Sequence, residues 1–279
     1  MSVRRLIRLT AIEAAKMRRQ RLAHLVVGVP AAAAALVPAG LHLSGREGMQ
    51  GFLSLATALE LALLLGAFLI LIQAALAVAG ERSEKTLRDV LAAPVRRSEV
   101  LLSRWIAIEL ELILLVLVVA AAALASTALF YRFDDITAGA VEPLFYASEL
   151  RGETIRAVLY HLPPAAALVT LGILVSVLSG SPAMAAAIGA GALLAIDIAK
   201  SIFSGASSGP LYLFNAYLPT LFDRTSYLHG VTALANGIGD VIWSEDSVRH
   251  MLVVIVPLGY IAIFLGLSRA AFSRTDFAD

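Results

Sequence analysis

Lys200 stands three residues after Asp197 in an otherwise apolar stretch. That spacing puts an ammonium and a carboxylate on one face of a helix. Ionisable groups at membrane depth serve transport paths and proton relays, or neutralise one another. Mutual neutralisation is the plainer reading of this pair, and lining a polar path is the sharper one. An intramembrane enzyme would need clustered catalytic residues at matched depth, and Asp197/Lys200 is the only close pair, with no obvious nucleophile beyond Ser201, so this class ranks last. Glu60, Glu109 and Glu111 are the other acids set in long apolar runs. Glu60 falls in the outer part of its run. Glu109 and Glu111 fall in the first turns of theirs, within reach of the interface, Arg104 or the basic N-terminus. Four of the five histidines, His42, His161, His229 and His250, lie toward one predicted side without metal-ligand spacing, so no metal is expected. The absence of cysteine excludes disulfides, thiolate metal sites and thiol catalysis. No G-x-x-x-x-G-K-[ST] run is present either, so nucleotide hydrolysis is not expected on this chain.

The elements that must position these groups are membrane spans. Of 279 residues, 59% are hydrophobic and 15% charged, and the mean hydropathy is +0.83. A soluble domain would carry about 25% charge. The fold class is therefore an all-α integral membrane protein, a single transmembrane domain over residues 1–279. Six spans are expected, at about 22–43, 52–79, 106–130, 162–178, 183–203 and 251–267. Pro30 and Pro38 are tolerable inside the first, where neighbours re-satisfy the freed carbonyls. Residues 1–21 hold seven basic residues against Glu13 alone, with Leu6, Leu9 and Ile12 at helical spacing, which reads as an amphipathic surface helix rather than a cleavable leader. Residues 131–161 are acidic, and helical spacing from Leu144 to Leu159 suggests a separate helix along the outer interface. The longest connection, 204–250, is aromatic through Tyr212, Phe214, Tyr217, Phe222, Tyr227 and Trp243, as interface anchors or as an outer gate.

Between the second and third spans lies a charged island at residues 80–105, GERSEKTLRDVLAAPVRRSEVLLSRW, 26 residues with six basic ones. Val90, Leu91, Val95, Leu101 and Leu102 supply helical apolar positions, Pro94 divides the island, and Ser98 with Glu99 suggests the cap of a second helix. With the N-terminus inside, seven basic residues before the first span, six in the island and two in the tail face six on the outer side. The positive-inside rule then places the island and both termini in the cytoplasm.

The island and its setting resemble the ABC-2 family of transporter permeases. The resemblance is carried by Glu81 and Glu84, Thr86-Leu87, Val90-Leu91, Pro94, Arg96-Arg97 and the Leu101-Leu102-Ser103-Arg104 stretch, and the tail Phe272-Ser273-Arg274-Thr275-Asp276-Phe277 is similar to the family's ending. Leu218-Pro219-Thr220 and the helical run after it resemble the outer segment before the family's last span. The resemblance implies a permease subunit of an ATP-driven exporter in a bacterial inner membrane, paired with a second permease copy, in a homodimer by preference. It also implies a separate ABC ATPase subunit that binds ATP and Mg, with no cofactor and no catalysis on this chain. Within the island it implies a coupling helix, with Glu81, Glu84, Thr86, Leu87, Arg88, Leu91, Pro94, Arg96 and Arg97 as the ATPase-coupling residues, and the N-terminal helix as a further contact. Membrane lipid is an expected partner and nucleic acid is not. The alternative is a complex of the same kind that remodels or signals without passing a substrate. Cargo is not legible, because lipid, peptide, antibiotic and ion exporters share the architecture.

Overall fold

A computed structural model describes residues 3–46, 49–83, 96–137, 143–203, 212–221, 226–238 and 247–274. They form helices α1 (Val3–Met17), α2 (Arg21–Leu43), α3 (Gly51–Ser83), α4 (Arg97–Phe130), α5 (Ala147–Leu178), α6 (Pro182–Phe203), α7 (Tyr227–Ala235) and α8 (Ser247–Arg274). Six of these, α2 to α6 and α8, are long and apolar enough to cross a membrane. Extended pairing among the described residues is limited to one antiparallel bridge, Ile136 to Phe145.

The helices are not equivalent. Over its most apolar window α5 is 67% buried and α3 56%, whereas α6 and α8 are each 17% buried. So α3 and α5 form the centre, and the periphery turns Leu36, Leu117, Leu129, Ile198 and Ile263 outward. In water such a surface would drive aggregation; hydrocarbon solvates it without cost. The two central helices touch closely at Gly172, where an added Cβ would lie 2.6 Å from the Ala74 Cβ and 3.0 Å from the Leu71 carbonyl oxygen. Small residues at such contacts are how membrane helices gain dispersion energy when no hydrophobic force separates lipid from protein. Gly172→Ala should therefore cost about 1–3 kcal/mol, the range for overpacking a tight contact. Ala74→Gly should recover part of it, and an unchanged melting temperature for Gly172→Ala alone would refute the close approach.

Three helices run further than the hydropathy windows suggest, each for a visible reason. The fourth span and the expected interfacial helix are one element, α5. Leu150, Thr154, Ala157, His161 and Ala165 make a continuous buried stripe at intervals of three to four residues, so the same face packs inward throughout. Helix α3 continues past the apolar run to Ser83, and α4 begins at Arg97, well before Ile106. Ser98 is not the cap of a separate helix: Arg96 is the N-cap of α4, and its backbone N–H donates to the Glu99 carboxylate at 3.4 Å. In α1, Leu6 and Leu9 are half-buried against the bundle, whereas Ile12 is exposed.

Two ends of the bundle can be told apart. At one, the ends of α1, α3 and α5 meet the starts of α4 and α6 and the end of α8; this is the island end. At the far end, the Gly51 N–H donates to the Arg132 carbonyl at 2.9 Å, and Gln50 Nε2 donates to that of Asp134 at 2.7 Å. The Asp135 carboxylate accepts from the Ala147 N–H at 2.6 Å, satisfying an orphan donor at the start of α5.

Candidate functional site

The densest ionic cluster among the described residues sits at the island end. Glu81, on the last turns of α3, pairs with Arg104 of α4 and with Lys16 of α1. Arg104 also lies 3.6 Å from Glu13 and donates to the Ala77 carbonyl at 3.2 Å. Glu81 and Arg104 are buried, at 7% and 3% exposure. Burying two charges is costly, and mutual attraction with several further hydrogen bonds offsets that cost. Glu13 and Lys16 are three apart, so one face of α1 presents a carboxylate to Arg104 and an ammonium to Glu81. Arg5 stands 3.8 Å from the buried Glu99, a second tie between α1 and α4.

Further contacts bring the remaining helices to the same place. Arg82 donates to the carbonyls of Ser179 at 3.0 Å and Val177 at 3.4 Å, so a cation from α3 caps the negative end of α5. Arg97 donates to the Ser273 carbonyl of α8 at 3.4 Å. Trp105 Nε1 donates to Thr170 Oγ1 of α5 at 3.1 Å. The described ends of the island are thus helical extensions of α3 and α4, tied to α1, α5 and α8. Glu81 lies inside this network, Arg97 at its edge, and Arg96 is exposed beside it. Glu84, Thr86, Leu87, Arg88, Leu91 and Pro94 lie outside the described residues.

Asp197 and Lys200 occupy the last two turns of α6 at the far end, and both are buried. Lys200 Nζ donates to the Leu218 carbonyl at 3.1 Å, and Asp197 Oδ2 accepts from the Leu221 N–H at 2.9 Å. Each grips the segment 212–221 through its backbone, so the pair serves as an anchor for the connection that follows α6. Beside that segment the aromatic residues cluster. Tyr227 lies 5.0 Å from Tyr160 and 5.1 Å from Tyr217 between ring centroids. Phe214 lies 5.2 Å from Tyr260 of α8. These rings join α5, α7 and α8 around one layer.

The other intramembrane acids are separate from one another. Glu60 of α3 is half-buried, 3.9 Å from His229 Nδ1 of α7. Gln73 Nε2 donates to Glu111 at 2.6 Å. Glu109 is half-buried on α4. Among the described residues neither acid forms an ion pair with Arg104; its carboxylate partners are Glu81 and Glu13, because α1 lies across the ends of α3 and α4 and brings its own acid closer. Glu13, Lys16, Glu99 and Arg5 are the members that sequence reasoning overlooked. The one available signal was the three-residue spacing of Glu13 and Lys16 in a helix otherwise wholly basic.

No curated relative matches the sequence. A family model described as ABC-2 family transporter protein matches residues 7–277. That match runs from α1 through the island and beyond the end of α8, over an all-helical body with six apolar helices long enough to span a membrane. The chain therefore belongs to the ABC-2 family of transporter proteins, as a multi-pass membrane component of an ABC transporter and not its catalytic part.

Proposed function

We propose that this chain is the permease subunit of an ABC exporter in a bacterial inner membrane, driven by ATP hydrolysed with Mg on a separate ATPase. The island 80–105 and both termini face the cytoplasm, the ATPase seats the island, and two copies of the permease enclose the path. The observation that carries this reading is the network at the island end. A push on a flexible loop would be lost in the loop. Here the island leaves two helices whose extensions are held together by Glu81 and Arg104, and held to α1 by Lys16 and Glu13. Force applied to the island then moves α3, α4 and α1 as one body, a rigid-body element of the kind that coupled transitions use. The cargo stays unassigned in this reading.

Charge reversal at Glu84 or Arg88, or a helix-breaking Leu91→Pro, should uncouple hydrolysis from transport in the reconstituted complex. ATPase activity would persist while export falls by about tenfold or more, the equivalent of about 1.4 kcal/mol of coupling. Variants that keep full stimulated ATPase and full export would remove the island from the coupling path.

A further inference from the structure

We infer that the groove between α4 and α8 at the island end is a binding site for an anionic glycerophospholipid, with the phosphate between Arg96 and Arg269 and an acyl chain lying along the groove floor. The groove encloses about 430 Å³ and is lined by residues of both helices. Two guanidinium groups from two different spans reach it, Arg96 at the start of α4 and Arg269 in the last turns of α8, and both are exposed. Among the described residues neither has a carboxylate within ion-pair distance. Glu99 also lines the groove, but it is 3% exposed, accepts the Arg96 backbone N–H and faces Arg5 at 3.8 Å. Its charge is already offset, so the described lining keeps a positive balance. The first turn of α4, with Ser98 in the lining, adds the positive end of the helix.

Below the charges the wall becomes apolar through Leu102 and Leu265. Gly266 opens it further, since a Cβ built there would meet nothing within 4 Å. Charge at the headgroup level above an apolar slot between two spans matches an amphiphile; a free anion would use the arginines and leave the slot unfilled. Basic pockets between membrane helices recognise phospholipid headgroups in this way. A lipid seated here would bridge the base of the island to the last span, beside the Arg97 contact with Ser273. The inference depends on the membrane placement of the chain and not on the coupling reading.

The test uses the purified full-length chain in detergent. Its melting temperature is followed on titration with phosphatidylglycerol, with phosphatidylcholine of the same acyl chains, and with inorganic phosphate. Phosphatidylglycerol should give a saturable rise that the other two do not. Arg96→Gln and Arg269→Gln should each weaken its apparent affinity by about fivefold, following the contribution of about one basic residue near a headgroup. Arg274→Gln, an exposed arginine outside the groove, should leave it unchanged. Gly266→Phe, which fills the slot and keeps every charge, should also weaken it, so the inference does not hang on the arginine variants folding well. An equal rise with phosphatidylcholine, an equal rise with inorganic phosphate, or an unchanged response in both arginine variants and in Gly266→Phe would overturn it.

Discussion

Arg104→Met should lower the unfolding free energy by about 3–5 kcal/mol, the cost typical of removing one partner from a buried ion pair. The side chain it replaces is 3% exposed and meets Glu81, Glu13 and the Ala77 carbonyl. Its loss leaves the Glu81 carboxylate, 7% exposed, with less positive charge than its burial requires. Lys16 of α1 remains beside that carboxylate, but its own side chain is 41% exposed, so water screens what it offers. The physical claim is sharper than loss of stability, because replacing the whole pair should hurt less than breaking it. Arg104→Met combined with Glu81→Leu removes both charges and puts apolar bulk in their place. The double variant should melt above Arg104→Met alone, a positive coupling energy in a double-mutant cycle. Thermal unfolding of the four proteins in detergent measures it. If the effects of the two substitutions simply add, the two residues are not a pair. Protease should also cut α1 more readily in Arg104→Met, since Glu13 and Lys16 would then hold that helix less firmly.

At the opposite end of the bundle, Asp197→Ala should cost about 1.5–3 kcal/mol, the range for a hydrogen bond to a charged group. It removes the acceptor of the Leu221 N–H and a buried carboxylate three residues before the fully buried Lys200. Asp197→Asn retains an acceptor for the N–H and should lose less. The effect should be local. Lys200 and Asp197 hold the segment 212–221, so hydrogen exchange should accelerate at Leu218 and Leu221 while α3 and α5 remain protected. Uniform acceleration across the bundle would mean that the pair stabilises the core and does not anchor the connection. This outcome also decides between the two readings of the pair, because a pathway residue would change transport while leaving exchange at the segment unaltered.

Much of the architecture was readable beforehand, and the reasons differ from one element to the next. Hydropathy locates spans because hydrocarbon tolerates little else, so the six apolar runs correspond to α2 to α6 and α8. It misplaces their ends where a helix runs past its apolar stretch and keeps its hydrogen bonds, as α3 does to Ser83 and α4 from Arg97. It also split α5, whose first half is polar on one side yet buries Leu150, Thr154 and Ala157 on the other. Spacing suggests that Asp197 and Lys200 share a helix face, but the partners the structure gives them, Leu218 and Leu221, come from a later segment that no helical period describes.

Composition and pattern by themselves determined that this chain is an all-helical membrane protein with six long apolar helices, and which family it joins. Only the tertiary structure decided that the island's ends form one ionic unit with α1. Span position follows from the local free energy of transferring about 20 consecutive residues into lipid, and any such window reports it. Arg104, Glu81, Glu13 and Lys16 are separated by up to two whole helices, α2 and α3, and the island, and their pairing depends on how α1 crosses the ends of α3 and α4. Packing sets that crossing, and no local period in the chain encodes it.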